Sequence, residues 1–531
     1  MTPGSLRITP LVKEISAYRG DSLILPLTEE DTSLLLRPAK KHVPSRVEGP
    51  ALSAVEVVDA VLQGAITHAI RQKAFRAKLC ERYLLRPVGR LGVEQLLLLG
   101  LGKASELTQD RVRQATAEGL RQLRTLKSRR VAIAVDHADW GDLAVETVTQ
   151  AIAEGALLGL YRFDAYKRKE NDDGSREIES LTLLCKYREA GQSLKSVIER
   201  GEVLARATNL ARDLINEPAN VLTPIELAAR ARGVARRYGL AAEVMDRGTM
   251  RRLGMGALLG VAQGSANPPQ LIILRHRGGD ARAKPALGLV GKGVTFDAGG
   301  ISIKASEGME TMKGDMAGAA AVIGAMMGLA ALHLPVHVVG VIPAVENLPS
   351  GSAQRPGDIV RAMDGTTIEV INTDAEGRLI LSDALCYTRG LGVRYLVDVA
   401  TLTGGVVVAL GSVRTGFFSN NRTLAQQVEA AGEAAGEKLW ELPLDDEYEE
   451  LIKSDYADLK NTGGGKKAPA IGAARFLKHF VGEVPWVHLD INGTSLQEKA
   501  QGYQPKGATG VMVRTLIHLA MDLASKRERI S

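Results

Sequence analysis

The chain has only three cysteines in 531 residues, Cys80, Cys185 and Cys386, with no Cys-x-x-Cys pair among them. An odd number cannot pair fully within the chain, and a reducing compartment is the expectation. None of the nine histidines stands in a His-Glu-x-x-His pattern, so a helix-borne zinc protease site is absent. There is no Gly-x-Ser-x-Gly nucleophile elbow. Gly-Lys-Gly at 291–293 and Gly-Gly-Gly-Lys at 463–466 suggest a phosphate loop, but neither completes Gly-x-x-x-x-Gly-Lys-Ser/Thr. Internal repeats and low-complexity tracts are lacking. No basic segment followed by an apolar core opens the chain, so a signal peptide is not expected and the cytoplasm is.

Charge of one sign is also scarce. Lys and Arg number 67 against 61 Asp and Glu, a net +6. The basic clusters at 121–130 and 161–170 alternate with apolar residues, as solvated helix faces do, and no dense basic block marks a nucleic-acid surface. What is present is apolar: a hydrophobic content of 45% excludes global disorder, and this length predicts more than one domain. From 316 to 345 no formally charged residue occurs. Pro335 and the histidines at 333 and 337 interrupt the run. It reads as a buried helix over 315–332 and a buried strand over 336–342, with no membrane span.

The fold class expected is α/β, with two α/β domains. In the first third, strands at 23–27, 95–99, 131–135 and 181–185 alternate with helices at 52–74, 108–128 and 142–163. This N-terminal domain, 1–190, holds no obvious catalytic cluster. A polar segment at 169–175 reads as a surface loop. An amphipathic helix capped by Ser193 connects the domains over 191–216 and stops before Glu217-Pro218. The catalytic domain, 217–531, has apolar strands at 271–274, 286–290, 336–342, 367–371, 395–400 and 486–489. Their continuous apolar runs predict a mainly parallel central sheet flanked by helices. Ligands of such sheets bind at the carboxyl ends of strands.

Charged turns follow two of these strands. Residues 291–304 read Gly-Lys-Gly-Val-Thr-Phe-Asp-Ala-Gly-Gly-Ile-Ser-Ile-Lys, and 372–379 read Asn-Thr-Asp-Ala-Glu-Gly-Arg-Leu. Asp374 and Glu376 leave a strand two residues apart and enter a helix, where they either cap it or reach a common point. Asp297 precedes two glycines, a turn that lets backbone approach a ligand. Asp315 opens the buried helix and is either a cap or a ligand. Four carboxylates at neighbouring strand ends make independent capping the poorer account. Hard oxygen donors suit Mg, Mn or Zn, and four are enough for two ions sharing a water. Lys292, Lys304 and Arg378 bring positive charge to the same turns. They either neutralise the carboxylates or polarise a carbonyl and hold an anion, and spacing does not separate these roles.

These motifs resemble the leucyl aminopeptidase family, the cytosolic two-metal aminopeptidases of the M17 type. Residues 372–379 match that family's signature. The resemblance extends to 290–304, 312–316, 346–358, 400–404 and 461–464, and so covers most of the chain after the connector. It implies two divalent ions per subunit, Mn or Zn. Lys292, Asp297, Asp315 and Glu376 would hold one, and Asp297, Asp374 and Glu376 the other. It implies Lys304 as the group that polarises the scissile carbonyl, bicarbonate at Arg378, and a side-chain pocket at Met312, Thr401, Leu402 and Gly404. It further implies peptide substrates with leucine-like N-termini and a homo-hexamer. Three positions depart from the pattern: Ala298 for a serine, Pro469 for a glycine and Asn492 for an alanine. Some hexameric members bind DNA, so the alternative function is a DNA-binding hexamer with secondary or no peptidase activity. A catalytically dead scaffold is disfavoured by the intact ligand set.

Overall fold

A computed structural model describes residues 6–36, 53–135, 139–168, 177–185, 188–279, 285–463, 465 and 467–528. The polar segment at 169–175, Gly464 and Lys466 lie outside them. The chain divides into two units, one of Met1–Arg206 with Ala500–Pro505 and one of Ala207–Lys499 with Lys506–Ser531. The division falls inside the long helix Arg188–Asn216. That helix ends before Glu217-Pro218, as the proline dictates. It starts earlier than the sequence suggests, so Ser193 is an interior residue and not its cap.

The first unit is built on strands β1 (Arg7–Val12), β2 (Ser22–Leu27), β3 (Arg82–Leu85), β4 (Gln95–Gly100), β5 (Arg130–Ala134) and β6 (Ser180–Cys185). Their order is β1-β6-β5-β2-β4-β3, and every pairing is parallel except β3 with β4. The strand periodicity of two sorts side chains onto two cores. Ile24, Leu97 and Leu99 pack with the helices Gln109–Thr125 and Val145–Gly159. Leu23, Leu25, Leu96 and Leu98 pack with Ala54–Val61 and Ala65–Arg71. The single helix expected over 52–74 is therefore two. Gly64, at φ +80°, breaks it in a left-handed conformation that glycine adopts freely. β1 escapes sequence detection because four of its six residues are exposed and Pro10 interrupts its pattern.

The second unit carries β7 (Ala241–Met245), β8 (Gln270–Arg277), β9 (Leu287–Gly291), β10 (Gly293–Asp297), β11 (His337–Asn347), β12 (Ile359–Arg361), β13 (Thr367–Glu369), β14 (Tyr395–Ala400), β15 (Thr415–Ser419), β16 (Leu439–Glu441), β17 (Leu459–Lys460) and β18 (Trp486–Asp490). The central sheet runs β16-β15-β18-β14-β9-β11-β8-β7, with β10 beside β11. Strands β18, β14, β9 and β11 are mutually parallel. Antiparallel neighbours β15 and β8 flank this core. One expectation needs correcting. The strand at 367–371 does not join the central sheet, because β13 pairs with β12 and β17 in a separate three-stranded sheet. Ile368 is buried while Thr367 and Glu369 are half-exposed, an alternation that suits a sheet with one covered face.

The uncharged run is resolved as the helix Ala317–Ala331 followed by β11. The stretch Met309–Ala331 is long and apolar enough to cross a membrane, but 94% of its most apolar window is buried inside the protein. Its small residues explain the fit. A Cβ at Gly318 would stand 2.0 Å from the Val399 carbonyl oxygen, and one at Gly291 would stand 2.5 Å from that of Gly318. Helix backbone therefore rests directly on β9 and β14. Gly318→Ala is expected to cost at least about 1–3 kcal/mol, because the clash is with backbone and not with a side chain that can turn away. Urea denaturation measures it, and an unchanged midpoint would show that this close contact does not hold the helix.

Candidate active site

Gly291 of β9 lies opposite Val399 of β14, so the chain emerges from both strands at one point of the sheet's carboxyl edge. Lys292 leaves first, and its backbone N–H donates to the Val399 carbonyl at 3.0 Å. Its buried Nζ donates at 2.8 Å to Asp315 Oδ1 and to the Thr401 carbonyl oxygen, and lies 2.8 Å from Glu376 Oε1. Gly377 makes room for it, since a Cβ there would meet Lys292 Nζ at 2.8 Å. Thr401 also donates its hydroxyl to Asp315 Oδ1 at 2.7 Å.

The capping role fails for Glu376 and for Asp315. Glu376 stands at the N-cap of the helix Gly377–Gly390 with helical dihedrals and caps nothing with its side chain. The N-cap of Ala317–Ala331 is Met316, and Asp315 turns to Lys292 and Thr401 instead.

Asp297 closes β10 opposite Asn347 of β11. Its Oδ1 accepts from Gly299 N–H at 2.9 Å and from Asn347 Nδ2 at 2.8 Å. Its Oδ2 faces Lys304 Nζ at 2.8 Å, and the same ammonium reaches Asp374 Oδ1 at 2.5 Å. Gly299 and Gly300, at φ +88° and +68°, make the turn that brings Lys304 back. A Cβ on Gly299 would approach Asp374 Oδ1 to 2.9 Å. Thr373 closes the turn by donating its hydroxyl to the Gly299 carbonyl at 2.6 Å while accepting from Ser302 N–H. Asp297, Asp374 and Glu376 each offer an oxygen within 4.8 Å of the others.

The electrostatics follow from crowding charge into a dry site. Burial pushes the carboxyls of Asp315, Glu376 and Asp374 above their ordinary range, with like-charged neighbours adding to it and Lys292 or Lys304 opposing. Burial would lower both lysines, but Asp315, Glu376 and Asp297 outweigh it at Lys292, as Asp297 and Asp374 do at Lys304, and both ammonium groups are held protonated. Burial brings Arg378 down to about 10, against the pull of Glu376 and Asp490.

This donor set fits divalent ions. Four carboxylates converge from the ends of different elements, and among the described residues Asp315 Oδ2 is buried without a hydrogen-bond partner. Such an oxygen is costly unless something positive meets it. The Nε of the buried Arg378 likewise lacks a partner among the described residues.

Thr401 is buried, Met312 and Leu402 are half-buried, and Gly404 is exposed. Asp490, at the end of β18, holds the turn after β14 by accepting from Leu402 N–H, Thr403 N–H and, at 2.6 Å, the Thr403 hydroxyl. Asn492 donates its Nδ2 to the Thr403 carbonyl at 3.0 Å, so this departure from the family pattern adds a tie to the same turn. Ala298 is buried beside Asp297. Pro469 occupies the first turn of Pro469–Lys478, where its missing N–H costs nothing. The structure thus brings together Lys292, Asp297, Lys304, Asp315, Asp374 and Glu376. Sequence reading missed the supporting roles of Asn347, Thr373 and Asp490, and the contact of Thr401 with Asp315. Polar residues at strand ends were the available signal.

Known proteins resemble this chain in sequence and in fold. Residues 209–517 match the model described as the cytosol aminopeptidase family, catalytic domain, and residues 43–170 match that family's N-terminal domain. A probable cytosol aminopeptidase of Alkaliphilus metalliredigens is 46% identical over 466 residues, 88% of this chain and 93% of the relative. Another, from Solibacter usitatus, is 49% identical over 445 residues, 84% of this chain and 90% of the relative. Among solved structures, a tomato leucine aminopeptidase mutant superposes with a TM-score of 0.85 at 34% identity, covering 98% of this chain and 97% of that one. The bottromycin maturation enzyme BotP in complex with Mn does so at 0.80 and 34%, covering 95% and 100%. With both family models matched in order and relatives near half-identical along most of their length, the chain belongs to the cytosol aminopeptidase family.

Proposed function

We propose that the chain is a two-metal aminopeptidase that removes N-terminal residues from peptides, leucine-like ones preferentially but over a broad range. The observation that carries this is the convergence of Asp297, Asp374 and Glu376 oxygens within 4.8 Å, with the unpartnered Asp315 oxygen as a fourth donor. Lys292, Asp297, Asp315 and Glu376 would hold one ion, and Asp297, Asp374 and Glu376 the other, with Mn or Zn suited to the donors; Lys292 would ligate as the free amine, its proton displaced by the adjacent cation. When bound, the two ions lower the pKa of a water and polarise the substrate.

The remaining work belongs to side chains. Lys304, partly exposed among the carboxylates, donates to the scissile carbonyl oxygen as negative charge develops there. The buried Arg378 guanidinium holds an anion, bicarbonate in this reading, that takes the proton of the attacking water. Met312, Thr401, Leu402 and Gly404 line the space for the substrate side chain, and Asp490 fixes the turn that presents the last three. The reading includes a homo-hexamer, which light scattering of the purified protein tests, and a place in the cytoplasm. DNA binding gains no specific observation.

The test is reconstitution. Chelated, metal-free protein is expected to hydrolyse leucine amide no faster than buffer. Mn, Co or Zn should restore turnover as two ions per chain are taken up. Undiminished hydrolysis by metal-free protein would overturn the reading.

A further inference from the structure

We infer that Asn347 is a positioning residue for the metal centre: its side-chain amide joins the two ligand-bearing turns and fixes which oxygen of Asp297 faces the site. The inference rests on the two-metal reading and adds a residue to it. Asn347 is the last residue of β11 and is 2% exposed. Its carboxamide nitrogen has two protons. One goes to Asp297 Oδ1 at 2.8 Å, on the turn after β10. The other goes to the Thr373 carbonyl at 3.0 Å, on the turn that carries Asp374 and Glu376. Its backbone carbonyl accepts from Ala298 N–H at 2.9 Å, which holds the first turn by a further point.

The chemistry suits a support. Both donors to Asp297 Oδ1, the Asn347 amide and the Gly299 N–H, are neutral. They saturate that oxygen without bringing a cation that would compete with an ion, and they leave Oδ2 directed at the centre, where Lys304 now meets it. A carboxylate free to rotate would offer either oxygen and would pay rotamer entropy on ligation. Space is tight as well: a Cβ on Gly300 would lie 2.8 Å from Asn347 Oδ1, so the amide is hemmed in by the turn it supports.

The test uses full-length protein carrying Asn347→Leu, which keeps the side chain's volume and removes both donors. Mn affinity is read by calorimetry on chelated protein, with melting temperature and kcat at saturating Mn measured in parallel. Loss of such a support typically costs 10–100-fold in metal affinity. The expected result is a weakening of that size, with kcat recovering most of its wild-type value at high Mn. A variant that melts earlier but binds Mn within twofold of wild type would overturn the inference and leave Asn347 a packing residue. If Asn347→Leu does not fold, Asn347→Ala is read in the same way. Should neither fold, the inference falls. Failure of the underlying reading looks different: wild-type protein itself would take up no Mn, or Asp297→Ala would take up as much as wild type.

Discussion

Asp297→Ala and Glu376→Ala are expected to lower kcat/KM by at least about a thousandfold, since each removes an oxygen proposed to touch both ions and one lost electrostatic group alone costs about a hundredfold to a thousandfold. Each also removes one of a lysine's two carboxylate partners. Glu376→Ala takes a partner from Lys292 Nζ, which lies in a buried site, and Asp297→Ala takes one from Lys304. Weaker compensation of a charge in a buried site is itself destabilising, so activity must be read against the amount of folded protein. The discriminating quantity is metal bound per folded chain by elemental analysis, expected to fall below two in both variants. Near-normal turnover with two metals bound in either would show that the ligand assignment is wrong.

Lys304→Ala is expected to lower kcat by roughly a hundredfold to a thousandfold while KM changes little. Carbonyl oxygen gains most of its charge in the transition state, so a donor aimed at it stabilises that state more than bound substrate. The geometry adds a second effect. Lys304 Nζ now lies within 2.8 Å of both Asp297 and Asp374, and its loss leaves those carboxylates facing each other. Metal binding should therefore persist or tighten in the variant even as turnover falls. Arg378→Ala should be milder, because in the proposed reading it would act through an exchangeable anion. Steady-state kinetics with the two effects in reverse order would exchange the roles of Lys304 and Arg378.

Much of the fold was legible because parallel strands buried on both faces leave unbroken apolar runs. β2, β4, β5, β14 and β18 were each found to within a residue or two for that reason. Strands with one covered face or a proline, such as β1 and β13, leave weaker patterns, and β13 was placed in the wrong sheet. The charged turns at 291–304 and 372–379 stood out because carboxylates so dense demand a reason. Whether Asp315 and Glu376 cap helices or meet elsewhere is not legible from either residue alone, since capping and ligation use the same residues at the same positions, and only the number of carboxylates makes capping the poorer account. Only coordinates show that neither side chain caps. Asn347 and Asp490 were invisible for another reason: their work is done through hydrogen bonds to residues far away in sequence.

That distance has a kinetic consequence. Asn347 meets Asp297 across 50 residues, Thr401 meets Asp315 across 86, and Lys292 meets the Thr401 carbonyl across 109. Asp297 comes from the large sheet, whereas Asp374 and Glu376 arrive by way of the small one. No local segment, however well formed, contains a working site. Contacts of such long range form late, after the loops between them have closed. Peptide-cleaving power therefore appears only when the catalytic unit has finished folding, and a half-made chain in the cell carries no loose protease.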